Sequence, residues 1–473
     1  MKVLLINPPR NNMVRWSVSG WSLDLGEISS FPPIGLMYLS AYLKKYSKHE
    51  VRIHDAVADR SSFFDIEKLI RTFQPDVVGI TSFTYTFFDV LETAKVAKKV
   101  DSSIHVCLGG SHTSLFGGET IMHPEIDSVV VGDGEIVFKE MLDCLEARKD
   151  FSGVTGCVLY KADGKTRRVH KPREVPDLDA LPFPSFDSLD PSKYYSTFGK
   201  SSGTATMCTT RGCPFQCTYC QVPDKKYRAR SARNIVDEML TYFVRGISDF
   251  YFFDDLFNLT SERVVDICNL ILQSPMAGKI DWLFRGRIDT LNNEMLKLAR
   301  RAGCRQILLG IEDSSDEGLR IIKKKLTIAK AFQAVKEARK NGIETSANWI
   351  LGFPHHRTRK DIDDLINTAI RINSDYAQFS ILQLLPGCEM YDECIREKTL
   401  TPGRWHNYVI HPQKEFYVEL YTRYFSEKEI CELYREAHNR FYRRPFYILK
   451  QFLKIRSFAE LKNKIRAGLA ILK

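Results

Sequence analysis

Cys213, Cys217 and Cys220 stand in the run Cys-Thr-Thr-Arg-Gly-Cys-Pro-Phe-Gln-Cys-Thr-Tyr-Cys, spaced C-x3-C-x2-C. Three thiols fall on one tight loop. Cysteine thiolates hold iron–sulfur clusters, and a four-iron cubane ordinarily takes four of them. Three ligands leave one iron without a protein partner, and an open iron is where a substrate binds. The spacing therefore points to reactive chemistry at a [4Fe-4S] cluster rather than to electron storage. A structural zinc knot is the competing reading, and it needs four closed tetrahedral ligands. Cys208 is the nearest candidate for the fourth, but it lies in an apparent strand on the far side of Arg211-Gly212.

The residues around that loop read as a support for it. From about 204 to 386 the pattern predicts strands at 204–210, 249–254, 282–287, 306–312, 346–352 and 377–385. Amphipathic helices fall between them, for example at 234–245, 293–302, 328–341 and 359–373, with Gly303 and Gly342 where helix C-caps are expected. Six such units make a partial (β/α)6 TIM barrel, whose active groups belong at the carboxyl ends of the strands. The cluster loop follows the first strand. Asp254 and Asp255 end the second, Arg285 and Arg287 the third, Glu312 the fourth and Gly352-Phe353-Pro354 the fifth. His355-His356-Arg357 reads as exposed polar residues opening a helix, and Cys388 as a small buried side chain.

The first 150 residues also alternate strand and helix, which implies a doubly wound parallel sheet of Rossmann-like type. Its strand ends carry Ser82, Thr84, Gly109, Gly110, Gly132 and Gly134. Glycine there lets backbone approach a bulky ligand. Residues 151–200 read as a Pro-rich linker, 201–400 as the barrel, and 401–473 as a C-terminal helical region.

Several runs carry a family resemblance. Cys213 to Cys220, with the aromatic Tyr219 before the third cysteine, resembles the loop of radical S-adenosylmethionine (SAM) enzymes. Pro33-Ile34-Gly35-Leu36, Gly79-Ile80-Thr81, Gly109-Gly110-Ser111-His112 and Gly132-Asp133-Gly134-Glu135, placed ahead of it, resemble the cobalamin-binding class of that family over nearly the whole chain. The resemblance implies a [4Fe-4S] cluster on Cys213, Cys217 and Cys220, with SAM on the open iron. It implies that Tyr219, Asp254 or Asp255, Arg287, Glu312 and Gly352 handle SAM. Carboxylates suit its ammonium and ribose hydroxyls, and a guanidinium suits its carboxylate. It further implies cobalamin held by the N-terminal domain at Ser82, Thr84, Gly109, Gly110, His112, Gly132, Gly134 and Glu135. The sequence departs from the family in four places. Asp133 replaces a Glu in the usual Gly-Glu-Gly-Glu, Asp313 replaces a Ser, His355-His356-Arg357 replaces Gly-Glu-Thr, and His54-Asp55-Ala56 lacks the Asp-x-His-x-x-Gly order that supplies a histidine below cobalt. No such ligand is expected, and His112 reads as a loop or corrin-edge contact.

The implied activity is methylation of an unactivated carbon through a 5′-deoxyadenosyl radical and methylcobalamin. The chain is also similar to anaerobic magnesium-protoporphyrin ester cyclases, so radical cyclisation or oxidation is the alternative. A non-catalytic cobalamin or redox sensor is a second alternative. A small-molecule or lipid-like substrate and an electron donor such as flavodoxin or ferredoxin are the expected partners.

Composition bounds the rest. The 473 residues are 44% hydrophobic, enough for buried cores, and of the 12 cysteines those outside the loop are scattered singly, not spaced as a disulfide framework. A reducing cytoplasm is expected. There is no apolar run long enough for a signal peptide or a spanning helix. The net charge of +10 concentrates after Tyr442, where nine basic residues from Arg443 to Lys473 face the single acid Glu460. No nucleic-acid module is recognisable. A helical cap on the barrel or peripheral contact with an anionic membrane are the readings of that tail.

Overall fold

The computed structural model of the chain describes residues 1–16, 30–195, 203–222, 224–421 and 423–453. Two compact units emerge. One takes Met1–Arg15, Pro32–Tyr194 and Pro402–Tyr417; the other takes Trp16–Phe31, Tyr195–Thr401 and Val418–Lys473. The basic and apolar residues of the tail from 454 onward lie outside the described residues, as do 196–202.

The first unit rests on strands β1 (Lys2–Asn7), β2 (Glu50–Asp55), β3 (Val77–Thr81), β4 (His105–Gly109) and β5 (Ser128–Val131). They pair in parallel in the order β2-β1-β3-β4-β5. Val3, Leu4, Leu5 and Ile6 are fully buried, as a strand covered on both faces requires. The crossovers are helices α1 (Ile34–Tyr46), α2 (Phe63–Phe73), α3 (Phe87–Val100), α4 (Ser111–Thr120) and α5 (Glu135–Glu146). Chain order reverses between β1 and β3, and doubly wound sheets bind ligands beyond their carboxyl ends at such a point.

Residues 151–194, expected as a linker, belong to this unit, and part of them joins its sheet. Strands β6 (Cys157–Ala162) and β7 (Lys165–Val169) add antiparallel to β5. β7 reads Lys-Thr-Arg-Arg-Val and is almost wholly exposed. A charged edge strand protects a sheet from further pairing, but it shows no apolar alternation in the sequence.

The second unit carries β8 (Thr204–Met207), β9 (Asp249–Phe252), β10 (Asp281–Gly286), β11 (Cys304–Glu312), β12 (Glu344–Leu351) and β13 (Tyr376–Ile381), parallel and in chain order. Helices α6 (Ala232–Phe243), α7 (Ser261–Leu272), α8 (Asn293–Arg301), α9 (Asp316–Ile321), α10 (Ile328–Lys340) and α11 (Arg359–Ile372) connect them. α8 buries Met295, Leu296 and Ala299 at helical spacing. It stops at Gly303, whose φ is 100° and where a Cβ would stand 2.4 Å from the Ile280 carbonyl oxygen.

Beyond the barrel come α12 (Glu389–Arg396), α13 (Arg404–Ile410), α14 (Glu427–Tyr442) and α15 (Pro445–Leu453). α13 returns to the first unit. It buries Trp405, Tyr408 and Val409, and the Val409 carbonyl accepts from His123 Nε2 at 2.7 Å. No described helix is long and apolar enough to cross a membrane.

Candidate functional site

The cluster loop begins where β8 ends and is tied down at each step. Asp254 Oδ1 accepts from the backbone N–H groups of Thr209 (2.6 Å) and Thr210 (2.9 Å), and its Oδ2 accepts from the Thr209 hydroxyl. Burial pushes the Asp254 carboxyl up to about 6, while these hydrogen bonds pull it down. Gly212 has a φ of 82°, and a Cβ there would stand 2.4 Å from the Lys226 carbonyl, so only glycine makes this turn. Cys213 N–H donates to Asp224 O (3.0 Å), Thr218 N–H to Ile322 O (3.2 Å), and Met390 N–H to Thr218 O (2.9 Å).

The three thiols of the loop are half-buried and free. Burial, and then the nearby Cys217 sulfur, push the Cys213 and Cys220 thiols up. Among the described residues, one trio of Cys, His, Asp or Glu ligand atoms lies within 4.8 Å of one another, and it is Asp313, His355 and His356. Three thiolates on one loop can each take its own iron of a cubane, leaving the fourth iron open. Cys208 Sγ donates to Thr210 O at 3.2 Å, which removes the fourth ligand of a zinc knot.

Glu312 closes β11 with a φ of 75°, the left-handed region that glycine favours. The pairing of β11 with β12 shifts register between Gly310 and Glu312. Such strain re-aims a side chain and collects at functional sites. The Glu312 carboxylate meets Lys324 Nζ at 3.1 Å, and the same ammonium lies 3.3 Å from the Tyr219 hydroxyl. Gly310 leaves the room: a Cβ there would stand 2.3 Å from Glu312 Oε1 and 2.8 Å from Lys324 Nζ. Lys324 therefore joins the cluster loop to the fourth strand end. Three consecutive lysines, Lys323 to Lys325, gave no means of choosing it from the sequence.

Asp255 and Arg285 are exposed at neighbouring strand ends. Desolvation by the surrounding chain still raises the Asp255 carboxyl, against Arg285, which lowers it. Arg285 reaches Tyr251 Oη (3.3 Å) and covers the Phe253 ring. Arg287, expected at the carboxylate of SAM, is committed elsewhere. Its guanidinium bonds Asp289 (2.8 and 3.0 Å) and Lys324 O (2.9 Å) and lies 3.6 Å over the Phe215 ring of the cluster loop. It clamps that loop. Asp254, with both oxygens engaged on backbone and hydroxyl, does the same.

His355 and His356 are not exposed helix-opening residues. His356 is buried, and its Nδ1 accepts from Gly352 N–H (3.2 Å), so its proton sits on Nε2 and is donated to Asp313 Oδ2 (3.0 Å). His355 Nε2 reaches the same oxygen at 2.6 Å. Burial raises the Asp313 carboxyl, but the two imidazoles outweigh it and hold it well below the carboxylate range. The Nε2 proton of His356 occupies the position a metal needs, so the trio is a hydrogen-bonded brace between the fourth and fifth strand ends. The His355 ring stacks on Phe353 (5.4 Å), and Phe353 meets Tyr219 edge-on (5.5 Å).

In the first unit the expected residues fall into two sets. Gly109 opens onto free space, with nothing within 4 Å of the point where a Cβ would stand, and Gly110 (φ 110°) packs where a Cβ would stand 2.7 Å from Ser82 O. Gly132 (φ 93°) follows β5, where a Cβ would stand 3.2 Å from the Pro172 side chain, and Gly134 precedes α5, where a Cβ would stand 3.4 Å from the Leu39 side chain. Gly109 is thus the strand-end position that leaves room for a bulky ligand. Ser82, Thr84, His112 and Glu135 are buried beneath it. Ser82 Oγ donates to Gly109 O (2.8 Å). His112 places Nδ1 3.0 Å from Thr84 Oγ1 and Nε2 3.0 Å from Thr120 Oγ1, and it stacks on Phe87. His112 is therefore a packing residue rather than a loop or corrin-edge contact.

Burial lowers His112 to about 3 and His105 to about 4, the latter against Asp127, which raises it. Both are neutral in the fold, whereas an unfolded histidine takes its proton near ~6.5. The unfolded state then binds more protons, so stability is lost as pH falls from about 6.5 towards 4. Urea midpoints of the first unit's unfolding are expected to drop between pH 7 and pH 5, with a shallower slope in a His112→Gln protein.

Comparison with known proteins matches residues 29–142 to the B12 binding domain family and residues 207–369 to the Radical SAM superfamily. An uncharacterised methyltransferase of Pyrococcus horikoshii is 32% identical over 100% of this chain and 98% of its own. An anaerobic magnesium-protoporphyrin IX monomethyl ester cyclase of Rubrivivax gelatinosus is 27% identical over 83% of this chain and 70% of its own. Among solved structures, the radical SAM methyltransferase TsrM of Kitasatospora setae, with cobalamin and a [4Fe-4S] cluster bound, superposes with a TM-score of 0.69 at 20% identity, covering 85% of this chain and 79% of that one. That last likeness is one of fold.

Proposed function

The chain belongs to the cobalamin-binding radical SAM family, and from that premise we propose that it is a methyltransferase acting on a carbon with neither acidity nor a lone pair. The observation that carries the reading is the full-length likeness to an uncharacterised methyltransferase, joined to the C-x3-C-x2-C loop that follows β8. Such a carbon cannot attack a sulfonium directly, so it must first lose a hydrogen atom. The bound [4Fe-4S] cluster, SAM and cobalamin supply the one-electron cleavage of the sulfonium and a carrier for the methyl group.

The chain's own residues bind and orient. Cys213, Cys217 and Cys220 hold the cluster. Asp255 accepts the ammonium of SAM, and Arg285 faces its carboxylate, in the role first expected of Arg287. Glu312 takes ribose hydroxyls, steadied by Lys324. Tyr219, Phe353 and the buried Gly352 form an apolar wall for the adenine. Asp254 and Arg287 keep the loop in place. In the first unit Gly109, Gly110, Gly132 and Gly134 form the surface for cobalamin, and the buried Ser82, Thr84, His112 and Glu135 support it from below. A ferredoxin or flavodoxin is the proposed electron donor.

Two neighbouring carboxylates separate binding from bracing. Asp255→Asn is expected to raise the apparent KM for SAM about tenfold to a hundredfold, the loss of one charge-assisted hydrogen bond, with iron content unchanged. Asp254→Ala leaves three buried donors unmet and is expected to lower the melting temperature and the iron content together. Equal SAM kinetics in Asp255→Asn and the parent protein would remove Asp255 from the site. Gel filtration after loading with hydroxocobalamin tests the first unit: the corrin spectrum travels with the protein if the assignment holds, and free of it if not.

A further inference from the structure

Helix α15 (Pro445–Leu453) is docked by one face and bare on the other. Tyr447 is buried and donates through its hydroxyl to Asp375 O (2.8 Å). Lys450 Nζ pairs with Asp375 Oδ1 (3.1 Å), and Gln451 Nε2 donates to Asp375 O (3.0 Å). These three stand at i, i+3 and i+4, one side of the helix. The opposite side presents Phe446 (87% exposed), Leu449 (55%) and Leu453 (75%) at i, i+3 and i+7, flanked by Ile448 (56%) and Phe452 (64%).

We infer that this face docks the protein on the surface of an anionic lipid bilayer. Five large apolar side chains gathered on a nine-residue helix are not the scattered exposure usual in a soluble protein. They carry no polar atom with which to recognise a partner's hydrogen-bonding groups, so they suit an apolar medium without fixed shape. The charge in the adjoining sequence is almost wholly basic. Exposed Arg443 precedes the helix, and the 20 residues after it carry Lys454, Arg456, Lys462, Lys464, Arg466 and Lys473 against Glu460 alone. An apolar helix face bordered by Lys and Arg lies in the headgroup boundary with its apolar side inward, and the basic residues add attraction to anionic lipid. The docking is reversible and weakened by salt, because its electrostatic part is screened.

The test is co-sedimentation of the full chain with phosphatidylcholine vesicles containing about a third phosphatidylglycerol, and with pure phosphatidylcholine, at low and high salt. The docked helix predicts binding to the anionic vesicles at low salt that falls roughly tenfold or more in high salt and on pure phosphatidylcholine. A Phe446→Ser, Phe452→Ser protein is expected to lose a similar amount while keeping its melting temperature and iron content, since both rings stand in solvent. Absence of sedimentation at low salt overturns the inference. So does full binding by the double variant, or a concentration-dependent dimer that the same variant abolishes, which would make a second copy the occupant. None of these outcomes bears on the methyltransferase reading, whose test is chemical.

Discussion

A Cys217→Ala protein reconstituted with iron and sulfide is expected to fold, to bind substoichiometric iron and to form no 5′-deoxyadenosine above background. The fold survives because Cys217 is half-buried and its sulfur only grazes Lys323 O at 4.0 Å. The chemistry does not survive, because the site has three thiolates and no spare. Cys208 is held at Thr210 O, and His355 and His356 are engaged with Asp313. A cubane left on two cysteines has two irons without a protein ligand and loses the fixed orientation that presents a single open iron to SAM. The expected loss is at least ~10^3-fold in SAM cleavage, or ~4 kcal/mol of barrier. Iron quantitation, visible absorbance and nucleoside analysis read it together. Full SAM cleavage by the variant would remove Cys217 from the cluster, whereas full biological activity without SAM cleavage would return the chain to a non-catalytic sensor.

Glu312→Gln is the second. The carboxylate is buried beside Lys324 and held in a left-handed backbone conformation that glutamate adopts only under constraint. Glutamine keeps size and one acceptor oxygen but leaves the Lys324 ammonium half-buried without its counter-ion. Each hydrogen bond to a charged group is worth about 1.5–3 kcal/mol, so 5′-deoxyadenosine formation is expected to fall roughly 10- to 100-fold, mostly through SAM affinity. Gly310→Ala supplies the control. Its methyl group meets only the far ends of Glu312 and Lys324, so folding is preserved while the ion pair is displaced. SAM binding should weaken in both proteins, measured by calorimetry under nitrogen. An unchanged affinity in both would separate Glu312 from SAM.

The barrel was legible because its helices bury one stripe and its strands end at charged or glycine residues. Strand β11 ends at Glu312 as its pattern requires. The hairpin β6–β7 was illegible, since β7 is an exposed, charged edge with no alternation to detect. The return of α13 to the first unit is a long-range packing choice made by Trp405, Tyr408 and Val409, which local periodicity cannot announce. The cysteine loop was readable from spacing alone.

The charged strand ends were harder. Asp254 and Asp255 are adjacent in sequence, but one ties backbone and the other faces solvent, and only three-dimensional neighbours separate them. Asp313 and His355-His356 looked like unrelated departures from the family pattern. In space they are partners, a carboxylate that exists to receive two imidazole protons. Lys324 was hidden among three lysines for the same reason.

The most direct test is anaerobic reconstitution with iron, sulfide and hydroxocobalamin, followed by SAM and reductant and mass spectrometry of the nucleosides. A methyltransferase of this family is expected to release both S-adenosylhomocysteine and 5′-deoxyadenosine while retaining its corrin spectrum. 5′-Deoxyadenosine alone would contradict the account and move the protein to cyclase or oxidoreductase chemistry.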